Sequence, residues 1–111
     1  MAYTSPVVFV ETRAFTARVR ALLSDEEYRA VQLFLAGRPH AGSVVPGTGG
    51  LRKLRWGVTG RGKRGGTRIL YFLHPPTNRI LMLFVFAKSE RSDLTAAQRA
   101  ALRKIIETEY P

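Results

Sequence analysis

The sequence predicts a single α+β domain with the element order β-α-α-β-β-β-α. Three observations carry this. Apolar residues recur at helical spacing in two stretches near the N-terminus and in one at the C-terminus. Between them, three runs rich in β-branched and aromatic residues are joined by glycine- and proline-rich connections, as in an antiparallel meander. A length of 111 residues suits one domain, spanning residues 1–111, and 45% hydrophobic residues can fill one core. We expect the helical hairpin and the C-terminal helix on one face of the sheet, with the first strand pairing at one side.

Residues 1–6 read as a loose tail ending at Pro6. Val7-Val8-Phe9-Val10 is a short buried strand. Phe15, Val19, Leu22 and Leu23 give a helix over Thr12–Leu23. Ser24-Asp25-Glu26-Glu27 is a capping box that opens a second helix, and its acids suit the helix dipole. Tyr28, Val31, Phe34 and Leu35 carry the apolar stripe to Gly37, with Pro39 as the stop. Pro39–Gly50 reads as a loop in which Val44-Val45 can pack inward. A strand follows from about Leu51 to Val58, then a basic glycine-rich turn from Thr59 to Gly66. Thr67–Leu73 is the next strand, with Ile69, Tyr71 and Leu73 on one face and Arg68, Leu70 and Phe72 on the other. His74-Pro75-Pro76-Thr77-Asn78 turns the chain into Ile80–Ala87, an unbroken apolar run that reads as the central strand, covered on both sides. Thr95-Ala96-Ala97-Gln98 is a second capping box, and Ala101, Leu102, Ile105 and Ile106 give a helix to about Glu109.

Eighteen Lys and Arg against eight Asp and Glu give a net charge of +10. No acid lies between Glu27 and Glu90, while that interval holds eleven cations, seven of them from Arg52 to Arg68. Excess charge of one sign repels itself and does not help folding. It reads as a site for a polyanion, with nucleic acid the usual partner, or more blandly as a solvated basic face. With no Cys, disulfides, Cys-ligated zinc and thiol catalysis are excluded. No apolar run has the ~18 residues of a membrane span, and no signal peptide opens the chain. We expect a cytoplasmic protein.

The glycine-rich turn Gly60-Arg61-Gly62-Lys63-Arg64-Gly65-Gly66-Thr67 lacks the spacing of a phosphate loop and joins two strands instead of opening a helix. It reads as a hairpin tip that can approach a phosphate, or as a plain loop. His40 and His74 lie in turns beside prolines and do not form a matched acid–base pair. Two His and no Cys argue against a metal site, and no cofactor is expected. The carboxylates sit mostly in helix first turns, where capping accounts for them.

The strand-borne cations remain. Lys53 and Arg55 share a sheet face, being two residues apart. Arg68 opens the neighbouring strand and Lys88 closes the last one. An antiparallel meander brings those ends to one edge, so Arg68 and Lys88 converge there beside Arg61, Lys63 and Arg64. The alternative is a set of separate exposed cations. Trp56 and Tyr71 could stack on bases, but each also reads as core.

The element order, the segment Gly49-Gly50-Leu51-Arg52-Lys53-Leu54-Arg55, the strand Arg68-Ile69-Leu70-Tyr71 and the run Ala87-Lys88-Ser89-Glu90-Arg91-Ser92-Asp93-Leu94-Thr95 resemble the RelE/ParE superfamily of bacterial toxins over about Val7–Ile106. Within the RelE branch the chain is most similar to HigB-type toxins, through its Gly-Thr-Gly-Gly-Leu-Arg-Lys run and its Gly-Lys-Arg-Gly-Gly turn. The resemblance implies a RelE-like fold and the toxin of a type II toxin–antitoxin pair. Such a toxin is an mRNA interferase, an endoribonuclease that cuts messenger in the ribosomal A site and inhibits translation. It implies catalytic roles for Lys53, Arg55, Arg68 and Lys88, with Arg52, Arg61, Lys63, Arg64 and Arg91 binding RNA or ribosome. Ser89 and Thr95 stand where the family often has Arg and Tyr.

Without a metal, the 2′-hydroxyl would attack the adjacent phosphate, Arg68 and Arg55 would hold it, and Lys53 or Lys88 would move protons. Implied partners are the ribosome, mRNA and a small helix-turn-helix antitoxin with an acidic neutralising segment, and no membrane. Two other readings share the features: a ParE-like inhibitor of DNA gyrase, and a non-catalytic nucleic-acid-binding module.

Overall fold

The structure, a computed structural model, describes residues 6–57, 66–90 and 93–110. The expected tail, most of the glycine-rich turn with Arg61, Lys63 and Arg64, and also Arg91 lie outside the described residues. Strand β1 (Val8–Glu11) leads into helices α1 (Arg13–Leu22) and α2 (Asp25–Gly37). Strands β2 (Ser43–Val44), β3 (Arg52–Trp56), β4 (Thr67–His74) and β5 (Arg79–Ala87) follow, and helix α3 (Ala96–Glu109) closes the chain. The sheet order is β1-β5-β4-β3-β2, with β1 parallel to β5 and the other pairs antiparallel.

Local chemistry sets the helix starts. Thr12 caps α1 by accepting from the Phe15 N–H. Ser24 and Glu27 form the expected capping box on α2, and Thr95 and Gln98 form the one on α3. Each box pairs two backbone donors that would otherwise lack partners.

The helices do not share one face, which corrects the sequence expectation. On one side, Phe15, Val19, Leu23, Val31 and Leu35 from the helical hairpin pack against Leu54, Ile69, Tyr71, Ile80, Met82 and Val85. On the other, Leu102 and Ile106 of α3, with Leu94 before it, cover Leu51, Leu70, Leu81, Leu83 and Phe86. The physical reason lies in the strands. Because β4 and β5 are apolar at successive positions, both faces of the sheet must be covered.

The register jumps on β5, where Leu70 pairs with Phe84 but Tyr71 pairs with Met82. Leu83 is the extra residue of a β-bulge. The Thr12 hydroxyl donates to the Leu83 carbonyl at 2.7 Å, so the cap of α1 also satisfies the bulge.

The Pro39–Gly50 segment is more ordered than a plain loop. Ser43 and Val44 pair with Lys53 and Arg52 as a two-residue edge strand. Val45 packs inward as expected, whereas Val44 is exposed. Buried Thr48 donates to the Val45 carbonyl at 2.5 Å and accepts from the Leu51 N–H at 3.2 Å. Gly47 and Gly49, both at φ 75°, supply the left-handed backbone this tight turn requires.

Candidate functional site

Strand pairing decides where the cations go. Arg55 stands directly opposite Arg68, and Lys53 opposite Leu70. Alternation then puts Lys53, Arg55 and Arg68 on the sheet face that carries Leu70 and Phe86, away from the helical hairpin. Thr67 pairs with Ala87, and the Lys88 N–H donates to the Gly66 carbonyl at 3.0 Å. Lys88 is therefore tied to the start of β4, beside Arg68. The expected convergence of Lys53, Arg55, Arg68 and the Lys88 turn at one end of the sheet is present.

Arg68 is unusual for a cation, being only 8% exposed. Burial lowers its pKa and the Arg55 charge lowers it further, although Arg stays protonated. Among the described residues neither Arg68 nor Arg55 has a carboxylate partner. The Arg68 side chain lies over Gly66, where a Cβ would sit 2.6 Å from its Nη1. Gly66→Ala should push the guanidinium aside, because that group is the flexible end of a side chain. The expected result is a stability change below about 1 kcal/mol, read by urea unfolding, with a drop in activity of tenfold or more.

A groove of about 500 Å³ adjoins these cations, lined by Ala41, Val44, Pro46, Lys53, Arg55 and Asp93 among others. Lys53 Nζ lies 3.7 Å from Asp93 Oδ1. Asp93 also accepts from the Leu94 N–H at 2.8 Å. That backbone bond, opposed by slight burial and aided by Lys53, holds its carboxyl below the ordinary carboxylate range. A lowered folded pKa means that Asp93 adds stability at neutral pH and loses it as pH falls through the lowered value. Asp93 is largely exposed, so screening keeps the effect under about 1 kcal/mol. Asp93→Asn should accordingly cost little at pH 7. The gap to wild type should close as pH falls below about 3.9, as denaturant titrations at each pH would show.

The sequence reading passed over Asp93. Its contact with Lys53 joins distant segments, and its place near the start of α3 made it look like a helix-start acid. Arg52 goes the other way. It lies on the hairpin face, where its Nη1 donates to the His40 carbonyl at 3.2 Å and to the Gly42 carbonyl at 2.8 Å. The structure does not bring it to the other cations. Trp56 packs edge-on against Phe34, with centroids 5.7 Å apart, and Tyr71 is fully buried, so both belong to the core. Thr95 spends its hydroxyl on the α3 cap. His40 is exposed, while His74 stacks on Tyr110 at 4.3 Å, and the two share no site.

A buried Arg68 guanidinium standing opposite an exposed Arg55 guanidinium offers forked donors that suit the oxygens of a phosphodiester. The chain matches the family model described as the RelE toxin of the RelE/RelB toxin–antitoxin system over residues 8–110. Among solved structures it is similar to a double mutant of the Escherichia coli toxin RelE in the free state. The identity is 12% and the TM-score 0.61, covering 87% of this chain and 97% of that one. That likeness shows the shared fold. The family match goes further: the chain belongs to the RelE toxin family and is a toxin of a toxin–antitoxin system, of the kind that cleaves messenger RNA in a ribosome-dependent way.

Proposed function

We propose that the chain is itself the nuclease, and that it cuts messenger by a metal-independent transfer at the rim formed by β3, β4 and the turn after β5. The observation that carries this is Arg68, a buried guanidinium facing Arg55 across the strand pair with no carboxylate neutralising either among the described residues. Holding two like charges together in the free protein costs energy, and an incoming anion repays it.

In the step proposed, the 2′-hydroxyl gives its proton to water as its oxygen attacks the adjacent phosphorus, and the bond to the 5′-oxygen breaks. The products are a 2′,3′-cyclic phosphate and a 5′-hydroxyl. Arg68 and Arg55 take the non-bridging oxygens, where charge builds up in the transition state. Lys88, exposed at the rim, donates a proton to the leaving 5′-oxygen. Lys53, oriented by Asp93, adds positive charge on the groove side. Arg61, Lys63, Arg64 and Arg91 are proposed to grip RNA or ribosome around this centre, as the density of charge in the sequence suggests.

The Gly47–Lys53 run and the Gly62–Gly66 turn support placing the chain with the HigB-type toxins. The cognate antitoxin is proposed to be a small helix-turn-helix protein whose acidic segment covers the basic rim. Ribosomes as the target place the action in the cytoplasm. No helix among the described residues is long and apolar enough to cross a membrane.

Induction of the chain alone in a bacterium, followed by mapping of messenger 5′ ends, tests the proposal. Growth arrest with new 5′-hydroxyl ends in translated frames is expected, and purified chain stripped of divalent metals before mixing should cut ribosome-bound messenger. Arrest with intact messenger and inhibited gyrase supercoiling would contradict it.

A further inference from the structure

Strand β1 covers β5 only as far as Met82, which pairs with Glu11. Beyond it, side chains satisfy the open edge of β5. The Arg18 Nε of α1 donates to the Val85 carbonyl at 2.9 Å. Its guanidinium lies over the Phe84 ring at 5.3 Å. Its Nη2 pairs with Glu90, 2.6 Å from Oε1 and 2.5 Å from Oε2. The same Glu90 carboxylate accepts the Ala87 N–H at 3.0 Å, while the Glu90 N–H closes a turn onto the Ala87 carbonyl at 2.9 Å. That turn contains Lys88.

We propose that the Arg18–Glu90 clasp is a positioning device for Lys88. It anchors the turn to α1 on one side, while the Lys88 N–H is anchored to Gly66 on the other. A Lys side chain has four rotatable bonds, so a fixed backbone is what restricts its ammonium to the rim. A guanidinium suits that task, because its Nε holds the Val85 carbonyl while its Nη2 holds the carboxylate, and two anchors on one planar group fix direction as well as distance. Edge cover alone would need no carboxylate held at both the turn N–H and the guanidinium. Neither Arg18 nor Glu90 touches the substrate in this account; they act through Lys88. The inference rests on the role proposed above for Lys88.

The test is a double-mutant cycle in single-turnover cleavage of ribosome-bound messenger. Arg18→Ala should slow cleavage tenfold or more, with apparent affinity for the ribosome within twofold of wild type. In a Lys88→Ala background, adding Arg18→Ala should have almost no further effect, since the group it positions is gone. Arg18→Lys keeps the charge but not the fork and should fall between Arg18→Ala and wild type. If Arg18→Ala does not fold, Glu90→Gln takes its place in the cycle, because the amide oxygen can still accept the Ala87 N–H while the ionic contact to Arg18 is lost. A rate within twofold of wild type for the folded clasp variant would overturn the proposal. So would an equal loss in both backgrounds, which marks a purely structural role. Lys88→Ala at the wild-type rate would instead refute the role given to Lys88, and so identify which of the two readings failed.

Discussion

Arg68→Ala should reduce single-turnover cleavage of ribosome-bound messenger by about 10²–10³-fold, the usual loss when one preorganised donor to a transition-state oxyanion is removed. The same substitution should leave the chain as stable as wild type or more so. Arg68 is 8% exposed and stands opposite Arg55 without a carboxylate neighbour among the described residues. Removing it relieves a desolvated like-charge contact, and the methyl that remains is compatible with the apolar neighbours Leu70 and Phe86 on that face. A residue that costs stability in the free protein and supplies rate in the complex marks a functional site. Arg68→Lys separates charge from shape. It keeps the charge but not the fork, and should fall between the two. Urea midpoints measured beside the rates decide the matter. Lost activity together with a large loss of stability would mean that Arg68 is structural.

Tyr71→Phe should have its largest effect on stability, a loss of about 1–3 kcal/mol, with chemistry at the rim unaffected once folded. The Tyr71 hydroxyl is the tie between the sheet and the chain leaving α2. It donates to the Pro39 carbonyl at 2.8 Å and accepts the Gly42 N–H at 2.9 Å. Phenylalanine would fill the same space and leave both backbone groups unpaired. Burial raises the phenol's pKa above its ordinary value, outweighing the Gly42 bond and the Arg52 charge, which lower it. A raised folded pKa means that this stability is present below the unfolded value of about 10 and is lost as pH rises above it. Wild type should therefore lose stability at alkaline pH, and Tyr71→Phe should lose less. Fit around the ring is tight, since a Cβ on Gly42 would lie 2.8 Å from the Tyr71 ring. Denaturant unfolding at pH 7 and pH 10.5 measures both effects.

Much of the fold was legible because local rules wrote it. The capping boxes at Ser24 and Thr95 fixed two helix starts, and the period-two split of Thr67–Leu73 assigned each residue to its observed face. The placement of α3 was misjudged, although the unbroken apolar run Ile80–Ala87 already required cover on both faces. The β-bulge at Leu83 and the short strand Ser43–Val44 were not legible. Each depends on a partner distant in sequence: the Thr12 hydroxyl for one, and the β3 backbone for the other.

The site divides the same way. Lys53, Arg55, Arg68 and the Lys88 turn followed from strand alternation and hairpin geometry, which a sequence carries. Asp93 and the Arg18–Glu90 clasp depend on contacts between segments far apart in the chain, and no local spacing announces them. Arg52 shows the reverse case. In sequence it looks like one more cation beside Lys53, but the pleat turns it to the opposite face and onto two loop carbonyls.

The central claim is that one scissile phosphodiester is gripped where β3, β4 and the turn after β5 meet. The most direct test is a structure of the chain bound to a ribosome whose messenger carries a 2′-O-methyl group at the cleavage position, which blocks the attacking oxygen. The account predicts a non-bridging oxygen of that phosphate within about 3.2 Å of the Arg68 guanidinium, with Arg55 and Lys88 around it. A phosphate seated elsewhere on the chain, with Arg68 still folded over Gly66 and touching no RNA, would contradict it.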